Sequence, residues 1–283
     1  MELRGRTAVV TGAAGGIGLA LARRCAAAGM RVVLADVEAG PLGEAAQSLE
    51  KSGAEALAVV TDVSRPEEVE ALAARAEDAF GAVHLVCNNA GVFAGGLSWE
   101  APLADYEWVF AVNVWGVLHG VRAFVPRLLA QGEGHVLITA SMASLTASPF
   151  SAPYTMSKHA VFALAESLQL ELRARGSQVG VSVLCPEMIR TGIGESGRNR
   201  PERYARQGAS HPERELVEGA LRAGCATGLD PDVVAARALE AVREGRFYVL
   251  PPEGDPWRKA MDTRLDMLRA GGDVRLALPG VES

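Results

Sequence analysis

Tyr154 and Lys158 lie four residues apart in Tyr154-Thr-Met-Ser-Lys158, a segment that reads as the opening turns of a helix. Residues at that spacing share one helix face, so a phenol and an ammonium can point into the same pocket. A free tyrosine ionises near pH ~10, and a cation about 4 Å away is worth roughly 4 kcal/mol at an effective dielectric of about 20. That attraction can lower the phenol by up to about three pKa units before screening, so the pair predicts an acid/base that works near neutral pH. Ser141, thirteen residues before Tyr154 and just past an apolar run, is placed to donate a hydrogen bond to the same substrate oxygen. A surface tyrosine and lysine at a chance spacing give the same pattern, so the elements around them must decide.

The chain opens with a β-branched run, Thr7 to Val10, that leads into Thr11-Gly12-Ala-Ala-Gly15-Gly16-Ile17-Gly18 and then an alanine- and leucine-rich helix ending at Gly29. Strand, glycine turn and helix start follow directly, which is the context of a phosphate-binding turn. Glycines let the backbone approach a pyrophosphate, and the helix N-terminus offers unpaired N–H groups. A plain tight strand-helix connection reads the same way. The second strand, Arg31 to Ala35, ends at Asp36, eighteen residues beyond Gly18. A carboxylate there can accept from both adenosine ribose hydroxyls and repels a 2′-phosphate, so it favours NAD over NADP. Gly15 and Val37 supply no cation for a phosphorylated ribose. After a helix from about Pro41 to Ser52, strand three (Ala56 to Val60) is followed by Asp62 and Val63, which are expected to hold the adenine. Strand four, Val83 to Cys87, closes with Asn88-Asn89-Ala90-Gly91, where small residues let a cofactor lie near the backbone or simply make a turn.

One long helix, about Leu103 to Gln131, carries Asn113 among Val109, Phe110, Val112, Val114 and Trp115. A buried amide must find partners: a kinked helix holding a water is one solution, a satisfied core asparagine the other. Strand five, His135 to Ala140, delivers Ser141; a helix from Pro153 to about Arg175 carries Tyr154 and Lys158; strand six, Gly180 to Leu184, leads to Cys185-Pro186-Glu187-Met188-Ile189-Arg190-Thr191. Strands alternating with helices predict an α/β fold, a doubly wound, seven-stranded parallel (Rossmann) sheet with helices on both faces. Its carboxyl edge would gather the glycine turn, Asp36, Asn89, Ser141 and Tyr154.

With these residues in order, the chain resembles the short-chain dehydrogenase/reductase family over roughly residues 5 to 192. The resemblance rests on Thr11-Gly12-x3-Gly16-x-Gly18, Asp62, Asn88 to Gly91, Asn113, Ser141, Tyr154-x3-Lys158 and Pro186 to Thr191. It implies that Tyr154 is the general acid/base, that Ser141 polarises the carbonyl or alcohol oxygen, and that Lys158 lowers the tyrosine pKa and binds the nicotinamide ribose. It also implies that Asn113 holds a water in a proton relay and that Ile189 and Thr191 meet the carboxamide end of the nicotinamide. Gly12, Gly15 and Gly18 also fit the spacing of the longer sugar-nucleotide epimerase branch, but too little chain follows strand six for that branch's substrate domain. The implied activity is hydride transfer between NAD and a secondary alcohol or ketone. A cofactor sensor without turnover, and an epimerase or dehydratase using transient oxidation, stay open beside it.

Glu187 departs from the family, which more often has glycine after the proline; this puts the local backbone in question, and solvent exposure or a lid contact is expected for the side chain. Residues 192 to about 228 read as polar and irregular, with arginines and glutamates that nearly cancel and are solvated; the resemblance implies that this stretch is a substrate lid. Phe93, Met142, Phe150 and Met188 near the pocket favour an apolar substrate. A helix from Asp230 to Glu244 and a seventh strand, Arg246 to Leu250, complete a single dinucleotide-binding and catalytic domain, 1–255; a C-terminal helix and tail, 256–283, carries the stripe Trp257, Met261, Leu265, Leu268. Absence of the family's usual C-terminal Asp-Gly-Gly turn leaves a homodimer on the helices around Asn113 and Lys158, or a homotetramer, as the expected assembly. The formal net charge of -6 argues against nucleic acid and anionic membranes as partners. Four unpatterned cysteines, no charged leader before Thr7 and no run of 18 apolar residues lead us to expect a cytoplasmic protein that binds no metal.

Overall fold

The computed structural model describes residues 1–206 and 211–279, so the middle of the expected lid and the last four residues of the expected tail lie outside the described residues. The short valine- and leucine-rich runs form β1 (Thr7–Thr11), β2 (Arg31–Asp36), β3 (Ala56–Val60), β4 (Leu85–Asn88), β5 (His135–Thr139), β6 (Gly180–Leu184) and β7 (Tyr248–Val249). They pair in parallel in the order β3-β2-β1-β4-β5-β6-β7, the doubly wound topology expected. Between β1 and β4 the winding reverses, and a crevice opens beyond their carboxyl ends.

Side chains alternate between two cores. Val9, Val33, Val86 and Ile138 join α3 (Pro66–Phe80), α5 (Gly116–Gln131) and α6 (Ala152–Ala174). Ala8, Val10, Leu34 and Leu137 join α1 (Gly16–Ala27), α2 (Ala39–Lys51) and α8 (Pro231–Glu244) on the other face. Two covered faces explain why the strands read as unbroken apolar runs. The expected long helix is continuous but not uniform: α4 (Leu103–Phe110) and α5 are joined by a π-helical turn, Ala111–Trp115, that contains Asn113. By length and apolar composition Leu103–Gln131 could cross a membrane, but half of its most apolar window is buried in this molecule, as suits a core helix.

Three expectations change. The seventh strand pairs only over Tyr248–Val249, and Pro251 and Pro252, one residue on, bar its continuation. The second helix starts at Ala39, since proline is tolerated in a first turn. The lid is not irregular: Gly192–Asn199 and Glu202–Tyr204 are 3-10 turns, and Pro212–Thr227 is a full helix, α7. Its signal was a proline at the first position, with Val217, Leu221 and Cys225 four apart beneath a charged coat. The C-terminal stripe lies on α9 (Pro256–Ala270), where Trp257 and Met261 pack on the core while Leu265 and Leu268 stay exposed.

Candidate active site

Thr11 closes β1 and ties the crevice together. Its hydroxyl accepts from the backbone N–H groups of Asn89 (2.9 Å) and Ala90 (3.1 Å), and its carbonyl accepts from Asn89 Nδ2 (3.0 Å). Asn89 Oδ1 then accepts from Thr139 Oγ1 (3.1 Å), so one amide links the ends of β1, β4 and β5. The glycine turn fits against this knot. A Cβ on Gly12 would fall 2.9 Å from Ala90 Cα, and one on Gly18 only 1.9 Å from the Gly12 oxygen. Gly18 therefore serves packing, while Gly12, Gly16 and Ile17 line the cleft. The helix that follows has Gly15 as its N-cap and no side chain satisfying its first N–H groups. Free amides at a helix start, with no side chain covering them, fit a pyrophosphate.

The cleft has a volume of about 380 Å³. Asp36, Asp62, Val63, Asn89, Ala90, Gly91, Tyr154, Lys158, Pro186 and Thr191, all singled out by sequence, line it. Asp36 takes one backbone N–H on each oxygen, from Ala14 (3.0 Å) and Glu38 (3.1 Å), which fixes the carboxylate at the edge of the glycine turn. Each oxygen keeps a free lone pair for a ribose hydroxyl. Asp62 is similarly held, its Oδ1 accepting from Ser64 N–H (2.9 Å) and Oγ (2.6 Å). Ile189 does not line the cleft. Its side chain is buried in the core shared with α1 and α8, and the backbone on either side of it is bonded to Leu229.

Ser141, Tyr154, Lys158 and Asn113 converge from β5, α6 and the π turn. Ser141 Oγ accepts from Ala143 N–H (3.1 Å), and the Ser141 hydroxyl meets the Tyr154 phenol. Lys158 Nζ donates to the Thr139 carbonyl (3.0 Å) and sits 5.6 Å from the centre of the Tyr154 ring. The lysine was expected to lower the tyrosine, but the phenol goes the other way. Burial pushes Tyr154 up to about 12 against the hydrogen bond from Ser141, and burial pushes Lys158 down to about 8. Both ends of the Asn113 amide have partners: Nδ2 donates to the Val92 carbonyl (3.0 Å) and Ser157 Oγ (2.9 Å), and Oδ1 accepts from Val92 N–H (2.8 Å), keeping one lone pair. Its oxygen and Lys158 Nζ both lie against Gly91, at 3.4 and 3.5 Å from where a Cβ would sit. Sequence reasoning missed Ser157, which also donates to the Tyr154 carbonyl (2.7 Å) and so joins Asn113 to the tyrosine's own turn; its position next to Lys158 was the available signal.

Residues 6–202 match the short chain dehydrogenase family. The chain belongs to that family. A 1-deoxy-11-beta-hydroxypentalenate dehydrogenase from Streptomyces exfoliatus is 43% identical over 252 residues, which cover 88% of this chain and 84% of the relative. The enzyme of the same name from Streptomyces arenae is 41% identical, covering 91% and 86%. Among solved structures, a short chain dehydrogenase/reductase from Burkholderia phymatum in complex with NAD superposes with a TM-score of 0.95 at 40% identity, covering 100% of this chain and 99% of that one.

Within this short-chain dehydrogenase, apolar side chains gather near Tyr154. Phe93 packs on the Tyr154 ring with centroids 5.1 Å apart; α7 lays Val217 over Gly95 and Gly224 against Met188, with Cys225 Sγ 4.0 Å from Met188 Sδ. Met142, expected here, is instead buried in the core, while Phe150 adopts a left-handed backbone (φ 61°) whose carbonyl accepts from Gly96 N–H. Glu187 is neither solvent-exposed nor held by the lid. Its side chain is 3% exposed and pairs through both oxygens with Arg237 of α8, at 3.1 Å each. Its backbone also avoids positive φ, so nothing there demands glycine. The arginines of the lid are not merely solvated either: Arg200, Arg206 and Arg214 all reach the wholly buried Asp105 of α4, at 2.6, 3.2 and 3.4 Å.

Proposed function

We propose that this short-chain dehydrogenase transfers hydride between NAD and a secondary alcohol or ketone carried on an apolar skeleton, in the oxidation direction. The carrying observation is the convergence of Ser141, Tyr154 and Lys158 beside a cleft whose far end is Asp36. The nicotinamide supplies the hydride acceptor and donor when bound. Asp36 holds the adenosine ribose, the α1 amides the pyrophosphate, and Lys158 the nicotinamide ribose. Tyr154 accepts the alcohol proton, and Ser141, held by the Ala143 amide on one lone pair, turns its O–H to the same oxygen. Asn113 and Ser157 hold the helix turn that carries Tyr154.

Phe93, Met188, Val217 and Cys225 support an apolar substrate, and the Streptomyces relatives act on a hydroxyl-bearing compound by name. Self-association through α4 to α6, where Trp115, Met156 and Leu170 are exposed, belongs to the same reading. The test is NADH formation across a panel of steroids, terpenoid alcohols, aliphatic alcohols and polyols. We expect turnover with bulky apolar secondary alcohols, reduced by roughly a thousandfold or more in Tyr154→Phe with NAD affinity nearly unchanged. NAD binding with no turnover on any alcohol would favour a sensor, and product formation without net NADH would favour transient oxidation.

A further inference from the structure

The ribose end of the cleft contains a cation that neither Gly15 nor Val37 could supply. Arg198 reaches it from the lid, 160 residues from Glu38, and forks onto the Glu38 carboxylate through Nε (2.9 Å) and Nη2 (2.7 Å). Its third nitrogen, Nη1, donates to the carbonyls of Gly192 (3.1 Å) and Glu195 (3.0 Å), so the guanidinium is fixed from behind as well as in front. Asp36, Val37, Glu38 and Arg198 line the same cleft, and Arg198 is near enough to Asp36 to be stabilised by its charge. Glu38 in turn donates its backbone N–H to Asp36, which ties the two acids into one turn.

An exposed ion pair of this kind contributes little to stability, and here the arginine is 46% exposed and the glutamate 24%. Its position gives it another consequence. A phosphorylated ribose needs an arginine beside the acid-bearing turn, and a two-pronged guanidinium is the group that suits phosphate best. This chain has that guanidinium in place but engaged. We infer that Glu38 is a second selector of NAD, acting through Arg198: by holding the lid arginine in a two-pronged pair it withholds from a 2′-phosphate the cation at the ribose edge. Asp36 repels the phosphate, and Glu38 removes its counter-charge. Discrimination of this form combines an unfavourable contact with a withheld favourable one.

The experiment measures equilibrium binding of NAD and NADP by calorimetry, in four variants, so that the readout is affinity and not turnover. Asp36→Ala removes the direct repulsion and sets the baseline. Adding Glu38→Gln keeps the side-chain size but frees Arg198, and we expect NADP to bind about tenfold more tightly than in Asp36→Ala, with NAD affinity changed much less. Adding Arg198→Ala to that double variant is expected to return NADP affinity to the baseline, and Asp36→Ala with Arg198→Ala alone to stay there. The inference is overturned if Glu38→Gln leaves NADP affinity at the baseline, if it tightens NAD and NADP equally, or if the gain survives the loss of Arg198. Circular dichroism of each variant shows that it is folded before its affinity is compared.

Discussion

Tyr154 and Lys158 influence each other less by direct approach than through the dry pocket they share. Burial disfavours phenolate and ammonium alike, so the lysine sits at about 8 and the tyrosine at about 12. The first proton to leave this pocket therefore goes near pH 8, from the Lys158 ammonium, well before the buried tyrosine loses its own. Alcohol oxidation needs a site that has lost that proton. Its kcat/KM is therefore expected to rise about tenfold per pH unit below roughly 8 and flatten above it, while ketone reduction falls over the same window. Lys158→Met leaves a phenol raised by burial with no cation beside it, so the rising limb should move up by at least about one pH unit; a limb that stays in place would assign the titration to another group. The sequence could disclose this pair, the glycine turn and Asp36 because each is a short-range pattern with its own geometry. It could not disclose the direction of the tyrosine's shift, which depends on how much chain closes over the phenol. Nor could it disclose Arg198 on Glu38 or Arg237 on Glu187, pairs formed across 160 and 50 residues.

The elements that were legible are the ones that alternate. Seven apolar runs and the helices between them follow from periodicity, whereas the lid hid its helix, because the face of α7 that packs is narrow and the rest is charged. What holds the lid down is Asp105. It is a single acid on α4, buried completely, that gathers Arg200, Arg206 and Arg214, while Arg200 also stacks over Trp108 at 4.1 Å. Ser196 adds a bond to Phe93 N–H (2.9 Å), and Arg198 adds its pair with Glu38. Removing one partner of a buried ionic cluster costs about 3–5 kcal/mol, since the remaining charges are left uncompensated. Asp105→Ala is therefore expected to open the lid locally before the domain unfolds. Hydrogen exchange of the α7 amides should speed up by roughly a hundredfold or more, with exchange in β1 and β4 changed far less. Equal acceleration in the sheet would make Asp105 a residue of global stability and not a lid anchor.

Across the whole molecule the sheet divides the work between its two edges. The carboxyl edge carries the cleft, and the amino edge carries buried histidines that take no part in it. His135, at the start of β5, donates from Nε2 to Ser182 Oγ (2.8 Å), because that hydroxyl already donates to the Arg246 carbonyl (2.6 Å). Its Nδ1 lies against Gly180, only 2.5 Å from where a Cβ would be. Burial accordingly pushes His135 down to about 4, and His84 is also lowered by its burial. A histidine whose folded pKa lies below its unfolded value of about 6.5 contributes fully above that value and loses its contribution as pH falls towards 4. Between pH 7 and 5 this one residue should cost the fold about 2 kcal/mol. His135→Leu cannot take up that proton. It is expected to be somewhat less stable at pH 7, through the lost hydrogen bond, yet to lose less stability on acidification, so that the two denaturation midpoints draw together by pH 5. Because the residue lies at the opposite edge from Tyr154, the pH profile of oxidation should keep its limb near 8; a wild-type acid loss in the variant would shift responsibility to His84 and the other titrating groups.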